Sequence, residues 1–64
     1  MLIFKDKVLI YESLNKHVID INDTLFRQVA HDKTYQTTQN EYEVVAVNIE
    51  QAGASYTVIA SAYD

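Results

Sequence analysis

The sequence contains no cysteine, and this absence removes several classes of site together. Disulfides, thiolate zinc sites, iron–sulfur clusters and cysteine nucleophiles all require thiols. The chain has two histidines, His17 and His31, which are few ligands for a metal site. We therefore expect no metal and no cofactor. A 64-residue domain buries only about 60 % of its unfolded surface, so the remaining means of stabilisation is another protein chain.

Long apolar runs and proline are also missing, and there is one glycine. Lys5 and Lys7 interrupt the apolar N-terminus after four residues, which leaves neither the core of a signal peptide nor the roughly 18 apolar residues of a membrane span. We expect a cytoplasmic protein that forms one small domain over residues 1–64.

Positive charge is absent from the second half of the chain. Residues 34–64 carry four acidic side chains and no lysine or arginine, so they account for the whole net charge of −4. This distribution argues against binding of a phosphate backbone there. The alternative is a small nucleic-acid patch on the N-terminal strands, where Lys5, Lys7 and Lys16 lie near Tyr11.

The N-terminal third is rich in residues that favour strands. "MLIF" and "VLIYE", separated by "KDK", predict two short strands with a tight connection or one strand kinked at that point. "KHVIDI" is a third such run. If it pairs with the second, Ile19 faces either Ile10 or Tyr11, and the sequence leaves both registers open.

The segment "NDTLFRQVAHDK" predicts the only helix, over about residues 23–33. Its apolar stripe spans an arc of roughly 140° and contains Leu25, Phe26, Val29 and Ala30. Asn22 or Asp23 can cap the free N–H groups of the first turn, and Ile21 can staple against Phe26. "TYQTTQN", residues 34–40, is expected to be a polar connection or a frayed last turn.

Residues 41–64, "EYEVVAVNIEQAGASYTVIASAYD", predict a β-hairpin with Ala52-Gly53 at the turn. This register pairs Ile49 with Tyr56, Val47 with Val58 and Val45 with Ala60. We expect the helix to pack on that face. The opposite face pairs Tyr42 with Tyr63, Val44 with Ser61 and Ala46 with Ile59, so it is also partly apolar.

That second face is the candidate functional surface. High strand propensity, or a second layer formed by the N-terminal strands, would explain it without a partner. Alternatively it binds protein, because interface cores are depleted of charge and enriched in aromatic residues. A homodimer is the simplest arrangement. The predicted protein-interaction residues are Tyr42, Val44, Ile59 and Tyr63.

These patterns predict an α+β fold: an antiparallel sheet of four to five strands, with one helix between an N-terminal and a C-terminal hairpin. A triad of Ser13, His17 and Asp20 is disfavoured because His17 and Asp20 would point to opposite faces of a strand. We predict no catalytic residues. The expected function is a non-enzymatic interaction module, a self-associating regulatory or inhibitory protein; the alternative is a nucleic-acid-binding module that uses the N-terminal lysines.

Overall fold

The computed structural model describes residues 1–13 and 20–63, and these form an α+β fold as predicted. One helix and five strands are present in these ranges: β1 (Leu2–Lys5), β2 (Val8–Glu12), α1 (Asp23–Asp32), β3 (Thr34–Gln39), β4 (Tyr42–Gln51) and β5 (Ala54–Tyr63). All pairings are antiparallel, in the order β2-β1-β5-β4-β3. The first and last strands are therefore neighbours at the centre of the sheet.

Three two-residue turns join the hairpins, and both central residues of each turn have positive φ. They are Asp6-Lys7 (49° and 69°), Asn40-Glu41 (50° and 67°) and Ala52-Gly53 (54° and 78°). This is the geometry of a type I′ turn, whose twist matches that of the flanking strands. The predicted turn at Ala52-Gly53 is confirmed. The tight-connection interpretation of the N-terminal runs is also confirmed, because β1 and β2 are separate strands.

Helix α1 matches its predicted boundaries closely. Asn22 is the N-cap, and its Oδ1 accepts a hydrogen bond from the backbone N–H of Leu25 at 3.0 Å. Leu25 and Val29 are buried, while Ile21 and Phe26 are half-buried against the same core. Burying a valine or leucine side chain fully contributes about 1.5–3 kcal/mol, so packing on the sheet stabilises this short helix.

Residues 34–39 form strand β3, and the prediction of a polar connection there is wrong. Lys33 ends the helix in the left-handed conformation (φ 69°), and the chain enters β3 without an intervening loop. The Lys33 carbonyl accepts a hydrogen bond from Asn48 N–H at 2.9 Å. From that point β3 pairs with β4, from Thr34 opposite Val47 to Gln39 opposite Tyr42. The free edge of β4 decides the conformation of this polar segment, which a periodicity of apolar residues cannot reveal.

The core lies between α1 and one face of the sheet. Its buried apolar members are Leu2, Phe4, Leu25, Val29, Val44, Ala46 and Ile59. Strand β1 contributes because Leu2 pairs with Ile59 of β5. Residues 16–19 of "KHVIDI" lie outside the described residues, so most of its predicted pairing with the second strand does too; Asp20 and Ile21 at its end do not lie in a strand.

Candidate interaction surface

The register predicted for the C-terminal hairpin is confirmed at every pair. Ile49 pairs with Tyr56, Val47 with Val58 and Val45 with Ala60 on one face. On the other face Tyr42 pairs with Tyr63, Val44 with Ser61 and Ala46 with Ile59. Each face of the hairpin therefore carries the side chains that the sequence predicts for it.

The helix, however, covers the opposite face from the one expected. Val44 is 0 % exposed and Ile59 is 1 % exposed, and both lie in the core against α1. The prediction that these two side chains form the centre of an uncovered surface is wrong. An interface there would have to displace the helix.

The buried core shows which side chains of the sheet the helix packs with. The centre of the helix-covered face carries Ala46 and Thr57, both buried and both small. Ala46 lies in the same buried cluster as Leu25 and Val29, and a small residue opposite large ones lets two layers interdigitate. Both faces are apolar, so the alternation of apolar residues alone could not distinguish them.

Tyr42 and Tyr63 lie at the end of the helix-covered face, beyond the buried core. Their rings meet edge to face with centroids 5.3 Å apart and planes at 69°. Tyr42 is half-buried against the core, whereas Tyr63 is 67 % exposed. Of the four predicted interaction residues, only Tyr63 is largely accessible.

The side of the sheet away from the helix is the surface that we call the open face. Its central side chains come from β1, β5 and β4, which are adjacent in the sheet, and are all apolar or aromatic: Ile3, Val45, Val47, Ile49, Tyr56 and Val58. Val45 is 41 % exposed and Ile49 is 46 % exposed; the other four are half-buried by their neighbours. Sequence analysis found the pairs on this face but assigned them to the core.

A shallow depression runs across one part of the open face. It has a volume of about 300 Å³ and is lined by Ile3, Ile10, Ile49, Gln51, Tyr56 and Val58. Ile10 reaches it from β2, where the pairing shifts from Ile3 opposite Tyr11 to Phe4 opposite Leu9. Such a bulge redirects a side chain, and here it extends the apolar surface toward the edge of the sheet.

Two charged side chains flank the open face. Lys5 pairs with Tyr56 near the turn end of β5, and Glu43 pairs with Ala62 near its other end. The Glu43 carboxylate accepts hydrogen bonds from Gln36 Nε2 and Thr38 Oγ1, each at 3.3 Å. Both donors are neutral, so neither is a cationic partner for the Glu43 carboxylate.

The other chemically active side chains do not converge on the open face. Ser13 Oγ accepts a hydrogen bond from the N-terminal ammonium at 2.8 Å, and the backbone N–H of Asp20 donates to Gln39 Oε1 at 2.7 Å. His17 lies outside the described residues. His31 Nδ1 is 2.6 Å from Asp32 Oδ1 on the exposed end of the helix. In the part of the chain that the structure describes, no three histidine or acidic side chains form a cluster that could hold a metal ion.

Lys5 and Lys7 lie on opposite sides of the sheet. Lys7 lies on the helix side, with Nζ 5.9 Å from the centroid of the Phe26 ring. Lys5 occupies a position of β1 that belongs to the open face. Lys16 lies outside the described residues. The two lysines that the structure describes do not form the single basic patch that a nucleic-acid interface would need.

A second cleft lies between the β1–β2 turn, the helix and the sheet. It has a volume of about 290 Å³ and contains Asp6, Lys7, Phe26, Asn48 and Ser55 in its lining. Its polar groups mostly bind one another: Ser55 N–H donates to Asp6 Oδ1 at 3.2 Å, and Asn48 Nδ2 donates to Ser55 Oγ at 2.8 Å. The nearest polar partner of the serine hydroxyl is thus an amide and not a base.

Comparison of the chain with protein-family models, with curated proteins and with solved structures gave no match. Within residues 1–13 and 20–63, no helix has the length and apolar character required to cross a membrane.

Proposed function

We propose that this protein is a non-enzymatic interaction module that associates with a second copy of itself through the open face. The observation that supports the proposal is the row of six apolar side chains across β1, β5 and β4, on the side of the sheet away from α1. Contiguous exposed apolar patches are uncommon on monomeric proteins and often mark binding surfaces. A regulatory or inhibitory role would follow from such association.

The size of the face suits a dimer. The molecule extends 35 × 24 × 16 Å, and strands β4 and β5 each have ten residues, or about 33 Å of sheet. A face of about 33 by 20 Å offers roughly 650 Å² to a partner, which approaches the 800 Å² per partner of a standard interface. Two sheets that pack face to face form a sandwich whose inner side chains interdigitate over about 10 Å.

The chemistry of the face supports binding rather than catalysis. Valine and isoleucine side chains contribute dispersion and desolvation, and they provide neither a nucleophile nor an acid–base pair. Association would also bury surface that a 64-residue chain has little capacity to bury alone. The cytoplasmic location remains a prediction.

Sedimentation of open-face variants tests the proposal. Val45→Lys and Ile49→Lys each place a charge on the open face at an exposed position, so both should convert the dimer to a folded monomer. Tyr63→Lys is the matched control, because Tyr63 is exposed on the other side of the sheet and its replacement should leave the dimer intact. Circular dichroism would verify that all three variants are folded.

Two outcomes would contradict the proposal. One is a wild-type protein that sediments as a monomer up to millimolar concentration. The other is a dimer that Tyr63→Lys disrupts and the two open-face substitutions do not, since that dimer would use the opposite side of the sheet.

A further inference from the structure

The open face has an uncharged centre and one charged residue at each end. Along β5, the partners of Lys5 and Glu43 are Tyr56 and Ala62, which are six residues apart, or about 20 Å. Across the sheet, β1 and β4 lie on either side of β5, so the two side chains are also separated laterally by about 10 Å. Lys5 and Glu43 therefore cannot meet within one copy of the chain.

A second copy could cover the open face in two symmetric ways. If the two-fold axis runs along the strands, the end of the face that carries Lys5 lies against the same end of the other copy. The end that carries Glu43 likewise lies against its own equivalent. If the axis runs across the strands, the end carrying Lys5 lies against the end carrying Glu43. Aligned packing of two sheets, with about 30° between strand directions, is compatible with either axis.

We infer that a second copy packs on the open face about a two-fold axis running across the strands, so that Lys5 of each copy lies at the same end of the interface as Glu43 of the other. The two side chains are then offset laterally by two strands, about 10 Å, a gap that their length lets them span. This inference rests on the proposed function and adds the orientation of the partner and the residues that select it. Only this arrangement places opposite charges together at both ends of the interface. Complementary charges at the rim fix the orientation of an interface more than they add to its affinity.

The surroundings of both groups are consistent with such a pair. Lys5 is exposed, and the structure pairs it with no acidic side chain among the residues it describes. The neighbouring acid, Asp6, accepts a hydrogen bond from Ser55 N–H through its own side chain. Glu50, near the same end, has the strand parity of Val44 and Ala46 and so belongs to the helix-covered side. Among the described residues, Lys5 is thus the one cationic side chain at this end of the open face.

Charge reversal provides the test, with dimer dissociation measured by analytical ultracentrifugation. Lys5→Glu and Glu43→Lys should each raise the dissociation constant at least about tenfold, because each creates two like-charge contacts in the dimer. The double variant should return to within about threefold of the wild type. Glu50→Lys is the control for a change in net charge and should have little effect.

Zero-length carbodiimide crosslinking gives an independent readout. The reagent joins an amine and a carboxylate that are in contact, so it should produce a covalent dimer linked from Lys5 to Glu43 and identified by peptide mass spectrometry. Lys5→Arg keeps the charge but removes the reactive amine, so this crosslink should disappear while the dimer persists.

The outcomes separate this inference from the function on which it rests. A dimer that Val45→Lys dissociates, but in which both single reversals leave affinity unchanged or the double variant fails to recover, would overturn the orientation and retain the proposed function. A wild-type monomer would overturn both.

Discussion

Phe4 and Phe26 meet edge to face, with ring centroids 5.2 Å apart and planes at 83°. Phe4 lies on β1 and Phe26 on α1, so this contact joins the first strand to the helix. Because β1 also pairs with β5, the same contact links the N-terminus, the helix and the last strand of the chain. Edge-to-face aromatic pairs contribute about 0.5–1.5 kcal/mol beyond the area that they bury.

Replacing Phe26 with alanine should lower the free energy of unfolding by about 3 kcal/mol. This is the lower end of the range for buried phenylalanine, since Phe26 is only half-buried. A domain of this size has a total stability of roughly 3–10 kcal/mol, so the variant should melt far below the wild type. Phe26→Leu is the control, and its loss of unfolding free energy should be less than half of the loss in Phe26→Ala. Urea unfolding curves measure both, and a Phe26→Ala midpoint equal to that of the wild type would show that the ring contact is unimportant.

Adjacent valines on β4 should respond in opposite ways to lysine. Val44 is fully buried and Val45 is 41 % exposed on the open face. Val44→Lys places a charge in the core and should cost more than about 4 kcal/mol, enough to unfold the domain. Val45→Lys should remain folded, with a loss below about 1 kcal/mol in the monomer. Thermal melts monitored by circular dichroism compare them, and a folded Val44→Lys with an unfolded Val45→Lys would mean that the helix lies on the other face.

Glycine should be the favoured residue at the second central position of the Asn40-Glu41 and Ala52-Gly53 turns. Glu41 has φ 67°, so Glu41→Gly should stabilise the protein by about 0.5–1 kcal/mol because glycine adopts positive φ without strain. Gly53→Ala should destabilise by about 1 kcal/mol. A Cβ on Gly53 would have no heavy atom within 4 Å, so the cost there comes from the backbone (φ 78°) and not from a clash. Denaturant titration measures both changes. Glu41→Ala removes the charge without introducing glycine, so it separates the effect of the charge from that of the positive φ. Equal effects of Gly and Ala at position 41 would contradict the turn assignment.

Local features could be predicted from the sequence wherever a short-range rule applies. The apolar stripe of Leu25 and Val29 and the capping side chain of Asn22 identify α1, because helix periodicity and N-cap chemistry depend on neighbours a few residues away. The hairpin register follows in the same way from the position of Gly53. One glycine that tolerates positive φ is enough to align β4 with β5 across ten residue pairs.

The strand β3 could not be predicted because its cause is not local. Thr34 to Gln39 carry few apolar side chains, and their conformation depends on pairing with β4 after the helix has ended at Lys33. A free sheet edge is a property of the assembled fold. The periodicity of apolar residues indicates which side chains are buried. It does not indicate where the backbone of a neighbouring strand has unpaired N–H and C=O groups.

The sequence by itself determined that the C-terminal hairpin would be apolar on both sides, and that one short helix could shield only one of them. Tertiary structure decided which side. The helix packs on the side where Val44, Ala46 and Ile59 meet Leu25 and Val29, and where Leu2 and Phe4 arrive from the N-terminal strand to complete the core. That decision depends on the volumes of side chains from three separate segments meeting in space, so it placed Val44 and Ile59 inside and left Val45 and Ile49 on the surface.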